Sequence, residues 1–194
     1  LNAAPLVAPV WPDCPAGFDR NGLALVLLPL PTGTPRAEAR RAARDVLRLW
    51  SGSLLTLPAD RMILVETAQG PLFEGVASDI RISLSYAGDR VLIGLAKGRV
   101  LGVDLVSLDR ISEVEPLSSL YLSKAACRAV LDAPLARQAE KFALSWAQME
   151  ACSKCLALPL AEIDEEREQA FAACELLECK GVDGYRMAAA VARQ

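Results

Sequence analysis

Two apolar runs split by a glycine-containing turn dominate what this chain can become. Residues 80–85 (IRISLS) alternate or run apolar, residues 86–89 (YAGD) supply a turn, and residues 91–96 (VLIGLA) return. The pattern predicts an antiparallel hairpin, because period-two hydrophobicity fits a strand and a Gly-Asp step fits a tight reversal. A lone hairpin is marginal in water and needs a third strand or a covering helix. The chain supplies both upstream. Residues 23–28 (LALVLL) read as a buried strand. After the turn PTGTP, residues 36–50 (RAEARRAARDVLRLW) are rich in helix formers and put Ala39, Ala43, Val46, Leu47 and Trp50 on one stripe. Thr34 and Pro35 suit the cap and first position of that helix. Arg36, Arg40, Arg41, Arg44 and Arg48 form a basic stripe along it, and residues 62–65 read as a short strand.

The same order of signals returns further on. Lys97-Gly98-Arg99 turns the chain into a strand over residues 100–106 (VLGVDLV). Helices are predicted over 118–131 and 136–156, then strands over 172–179 and 185–192 around Gly-Val-Asp-Gly. Helix plus hairpin thus occurs twice, closed by VLIGLA and by MAAAVA, a faint internal repeat of architecture and a sign of pseudo-twofold symmetry. The class expected is α+β, with mostly antiparallel strands and helices to one side. The division expected is two α+β halves, residues 1–98 and 99–194. Within the first, residues 1–21 form an extended lead-in marked by Pro5, Pro9, Pro12 and Pro15.

Composition restricts the chemistry. The 194 residues carry a net charge of −3 and no histidine. Nothing in this balance suggests a nucleic-acid groove. The missing histidine excludes Ser-His-Asp and Cys-His nucleophile systems and every histidine metal site. Proton transfer near neutrality falls to a carboxylate, a lysine, a cysteine or water. No apolar run approaches the ~20 residues of a membrane helix, and the N-terminus does not read as a signal peptide, so a cytoplasmic chain is expected. Six cysteines are too sparse for a disulfide scaffold. Cys152 and Cys155 form a C-x-x-C, with Cys174 and Cys179 behind it. A four-thiolate zinc site competes here with buried free thiols, and the helical context without a knuckle glycine favours the thiols.

Two acids stand out by context. Asp104 is a carboxylate inside the apolar run VLGVDLV, where burial demands a cation, donors or an exposed strand end. Glu150 lies in WAQMEACSK, so Trp146, Glu150 and Lys154 share a helix face at i, i+4 and i+8. Taken alone, Glu150 and Lys154 read as a surface pair worth about 0.3–0.5 kcal/mol.

Together these stretches resemble the 4′-phosphopantetheinyl transferase superfamily. Its signature is G-[IV]-D-x-E followed by W-x-x-K-E-[AS]-x-x-K. The matching stretches are Gly102-Val103-Asp104-Leu105-Val106 and Trp146 through Lys154. The run ISLSYAGD is similar to the family's S-x-S-H-S-G-D, and Arg40 before Val46-Leu47 is similar to its N-terminal arginine segment. Gly184-Tyr185-Arg186-Met187-Ala188 is similar to its G-Y-x-x-A strand. The resemblance spans roughly residues 23–192 and rests on the order and spacing of short motifs.

The resemblance implies an enzyme that uses Mg²⁺ and coenzyme A. Such an enzyme moves the phosphopantetheine arm onto a serine of an acyl or peptidyl carrier protein and releases adenosine 3′,5′-bisphosphate. It implies the monomeric, two-halved surfactin-type form, with coenzyme A between the halves. Asp104 and Glu150 would be the metal ligands, and Glu150 and Lys154 the catalytic pair. Arg40, Ser83 and Lys154 would contact coenzyme A. Several family positions are substituted: Leu84 stands for the histidine, Val106 for the second acid, Met149 for a lysine and Ala126 for a glutamate thought to act as base. The alternative the same substitutions raise is a catalytically degenerate relative that binds a carrier protein or partner enzyme.

Overall fold

The structure is a computed structural model that describes residues 5–67 and 70–193. It divides into two compact units, one over Leu6–Leu101 and one beginning at Gly102. Secondary structure is mixed α and β.

In the first unit, β1 (Leu23–Pro29), β4 (Ile80–Ala87) and β5 (Arg90–Lys97) form a sheet in the order β1-β5-β4. All neighbours are antiparallel, with Val26 opposite Ile93 and Ser83 opposite Gly94. The predicted hairpin turn is the two-residue step Gly88-Asp89, and Gly88 takes the positive φ of 54° that the tight reversal requires. Helix α1 (Arg36–Leu55) lies on one face of this sheet. Its stripe of Ala43, Val46, Leu47 and Trp50 packs on Ala24, Val26, Leu28, Val91, Ile93 and Leu95. The buried Trp50 indole donates to Pro15 O at 3.1 Å, which removes the cost of burying that N–H.

Two local expectations shift here. The N-cap is Pro35, not Thr34, whose hydroxyl instead donates to Pro31 O at 2.6 Å and closes the preceding turn. The helix also continues past Trp50 through Ser51-Gly52-Ser53 to Leu55. Gly52 is there because the chain folds back over it: Leu57 N donates to Gly52 O at 2.8 Å, and a Cβ on Gly52 would sit 2.8 Å from Leu57 O. The short strand starts two residues later than expected, as β2 (Leu64–Thr67), and pairs with β3 (Gly70–Phe73). Pro71 hides β3 from sequence reading. In a two-stranded ribbon it lies on an edge, where its missing N–H is tolerated.

In the second unit, β6 (Leu101–Ser107), β7 (Cys174–Leu177) and β8 (Tyr185–Ala192) form a sheet in the order β6-β8-β7. The strand order repeats that of the first unit: the opening strand, then the second strand of the closing hairpin, then the first. Helix α4 (Leu135–Cys155) carries Ala147, Ala151, Cys152 and Cys155 against Cys174, Ala188, Ala190 and Val106. A second apolar cluster joins α4 to α2 (Val114–Tyr121) and α3 (Lys124–Leu131) through Leu122, Val130, Phe142 and Met149. The single helix expected over 118–131 is split at Leu122, because the Ser123 hydroxyl accepts from Ala126 N at 3.2 Å and starts α3. A short α5 (Glu165–Phe171) is added, capped by Asp164, whose carboxylate accepts from Arg167 N at 2.8 Å. No helix among the described residues is long and apolar enough to cross a membrane.

Candidate functional site

The site grows from the alternation of β6. Gly102, Asp104 and Val106 fall on one face of the strand, Val103 and Leu105 on the other. The first face is the one that α4 covers. A Cβ on Gly102 would lie 1.9 Å from Ala151 O and 2.6 Å from Cys155 N, so glycine is what lets the helix backbone come down onto the strand. Val106 packs into the same interface. Asp104 lies between these two positions on the strand, with its side chain only 8% exposed, and needs a partner.

Helix α4 provides it. Lys154 lies between Ala151 and Cys155, the two α4 residues whose backbone Gly102 admits. Its Nζ donates to Asp104 Oδ1 at 2.6 Å and to Val103 O at 3.1 Å. Glu150, one turn earlier, is half-buried and close enough that the Asp104 charge acts on it. Burial pushes the Glu150 carboxyl above its ordinary value, Asp104 pushes it further, and Lys154 offsets part of the rise. The expected surface pair of Glu150 with Lys154 is thus replaced by a lysine that bonds across to the strand. Trp146 turns toward its own cluster, with ring centroids 5.4 Å from Tyr121 and 5.5 Å from Phe142.

Asp104 and Lys154 are thus bonded, and Glu150 lies one helical turn before Lys154, near enough for the Asp104 charge to act on it. Two hard oxygen donors beside a half-exposed ammonium suit a divalent cation with a phosphate next to it. Among the described residues no group of three or more cysteines or acids is arranged as metal ligands.

Arg40 and Ser83 belong to the first unit. Arg40 is exposed on α1, and its carbonyl accepts from Arg44 Nη1 at 3.1 Å. On the basic stripe, Arg44 lies 2.6 Å from Glu66 and 3.2 Å from the Tyr86 hydroxyl, and Arg48 lies 3.5 Å from Asp45. Ser83 is buried on β4, while Leu84 beside it points to the opposite face and packs on the α1 core. Met149 and Ala126 both pack in the α2-α3-α4 cluster. Cys152, Cys155 and Cys174 are buried thiols, and burial together with its neighbours Cys174 and Cys155 pushes the Cys152 thiol up to about 12. The element that sequence reading could not supply is the Val103 carbonyl, since no side chain signals a backbone acceptor.

Glu150 makes a pH prediction. Its folded pKa is raised above the ordinary 4.5, so the native state holds the proton more tightly than the unfolded chain. The resulting cost is absent below the ordinary value, grows as pH rises to the raised value, and stays constant above it. Glu150→Gln is expected to raise the urea midpoint at neutral pH and leave it unchanged near pH 3, below the usual carboxylate range of about 4. Equal midpoint shifts at both pH values would refute this electrostatic account.

Compared with known proteins, the chain matches no protein-family model and no curated protein.

Proposed function

We propose that this chain is a magnesium-dependent phosphopantetheinyl transferase of the surfactin type, acting on a serine of an acyl or peptidyl carrier protein with coenzyme A as co-substrate. The observation that carries the reading is the Asp104–Lys154 bond, with Glu150 near enough to feel the Asp104 charge, in the order and spacing of the G-V-D and W-x-x-x-E-x-x-x-K stretches. The repeated strand order of the two units supports the doubled architecture that goes with it.

In this reading Asp104 and Glu150 hold Mg²⁺, which when bound neutralises pyrophosphate charge. Lys154 supplies a mobile positive charge to a phosphate oxygen. The serine hydroxyl attacks the phosphorus that bears the pantetheine arm, the phosphoanhydride bond breaks, and adenosine 3′,5′-bisphosphate leaves with the bonding pair. Glu150, or a water beside it, takes the serine proton.

A second reading has its own observation. Leu84, Val106, Ala126 and Met149 each pack against an apolar cluster, so four substituted family positions serve as core. A protein that keeps the scaffold and binds a partner without turnover fits that pattern.

Mass spectrometry of apo carrier proteins incubated with the chain, Mg²⁺ and coenzyme A separates the two. The transferase reading expects a carrier to gain the arm, and expects Asp104→Ala to slow the gain by about 10²-fold or more, the scale of losing an electrostatic catalytic contact. No gain across a broad carrier panel, with no magnesium-dependent coenzyme A binding by calorimetry, leaves the accessory reading.

A further inference from the structure

We propose that Lys154 is the resident cation of the Asp104 site, holding the carboxylate closed to a divalent ion until an anionic ligand draws the ammonium away. This rests on the reading of Asp104 and Glu150 as a magnesium site. Two of the three ammonium donors are engaged on β6, at 2.6 Å to Asp104 Oδ1 and 3.1 Å to Val103 O. Asp104 is 8% exposed at its side chain and Lys154 31%, so the carboxylate is enclosed while the lysine keeps a way out to water.

A divalent ion and this ammonium cannot share the oxygen at ease. Magnesium bonds carboxylate oxygen at about 2.0–2.1 Å, which would set its charge against the ammonium on the same carboxylate. Metal entry and lysine retreat are therefore one event. Retreat also gives up the Val103 carbonyl, so the ammonium needs a new acceptor. Phosphate oxygens are the natural class, because lysine serves them as a flexible point charge. A phosphate-bearing ligand that captures Lys154 opens Asp104 to metal, and by reciprocity the metal favours that ligand. Lys154 thus works as a switch between carboxylate and phosphate, and the metal alone binds poorly.

The test uses Mn²⁺ alone, followed by the electron paramagnetic resonance signal of the free ion. Proteins compared are the wild type, Lys154→Met, Lys154→Gln, Asp104→Asn and the Asp104→Asn/Lys154→Met double variant. Lys154→Gln retains a neutral donor beside Asp104 should Lys154→Met fold poorly, and circular dichroism checks each protein. Both Lys154 variants are expected to bind Mn²⁺ at least about tenfold tighter than wild type, within the usual range of coupling between sites. That gain should vanish in the double variant. Equal affinity in wild type and both Lys154 variants, lost with Asp104→Asn, overturns the switch and leaves the metal reading standing. No Mn²⁺ binding by any protein, or binding that survives in the double variant, overturns both.

Discussion

Gly102→Ala is expected to lower the thermal midpoint by at least about 6 °C. The added Cβ would lie 1.9 Å from Ala151 O, 2.9 Å from Ala151 C and 2.6 Å from Cys155 N. All three are backbone atoms of α4, so no side-chain rotation relieves the overlap. The helix must lift off β6, and the Ala147, Ala151 and Cys155 contacts with the sheet go with it. Overpacking of this kind costs about 3 kcal/mol or more, and each kcal/mol shifts a chain of this length by about 2–4 °C. Gly17→Ala is the control, since nothing lies within 4 Å of its Cβ position. It should stay within about 0.5 kcal/mol of wild type. Circular dichroism melts of the two variants decide the matter, and a Gly102→Ala melt like that of Gly17→Ala would mean α4 does not rest on the strand.

The elements legible in the sequence are those whose periodicity and burial coincide. β1 and β5 read as apolar runs because both of their faces are buried, and the α1 stripe reads at helical spacing because it packs on a single sheet face. What failed to read are places where tertiary contact outweighs local preference. The stripe predicts a helix only to Trp50, yet α1 runs on to Leu55, and Leu57 crosses so close over Gly52 that a side chain there would clash. Pro71 looks incompatible with a strand, yet a ribbon edge accepts it. Two signals were readable and simply weak: Ser123 and Asp164 are each side-chain caps of short helices, and short helices carry too few turns for a clear stripe.

The candidate site divides the same way. Asp104 is conspicuous because a carboxylate in an apolar strand must find a partner, and Glu150 and Lys154 follow from their helical spacing. Their meeting depends on how close α4 comes to β6, which rests on the absence of one side chain at Gly102. A glycine in a strand signals close approach only in general terms; which helix approaches is a tertiary fact. The Asp104–Lys154 bond and the Val103 carbonyl were for that reason hidden.

The Asp104–Lys154 pair should show strong coupling in a double-mutant cycle. Lys154→Met leaves a carboxylate 8% exposed without its ammonium. Removing one partner of an enclosed pair costs about 3–5 kcal/mol, and the partial exposure of Lys154 places this case near about 3 kcal/mol. Asp104→Asn should cost less, about 1.5–2 kcal/mol, because the amide oxygen still accepts from the ammonium, which keeps contact with water. The double variant loses the pair without stranding a charge, so its cost should fall short of the summed single costs by about 2 kcal/mol. Urea unfolding at neutral pH measures all three. Coupling under about 0.5 kcal/mol, the level seen for independent sites, would mean the ion pair is not formed in solution. The same cycle repeated at high salt separates this pair from a surface one. An exposed pair weakens as ions screen it, whereas a bond with one partner enclosed by Gly102, Val106 and α4 should keep most of its coupling.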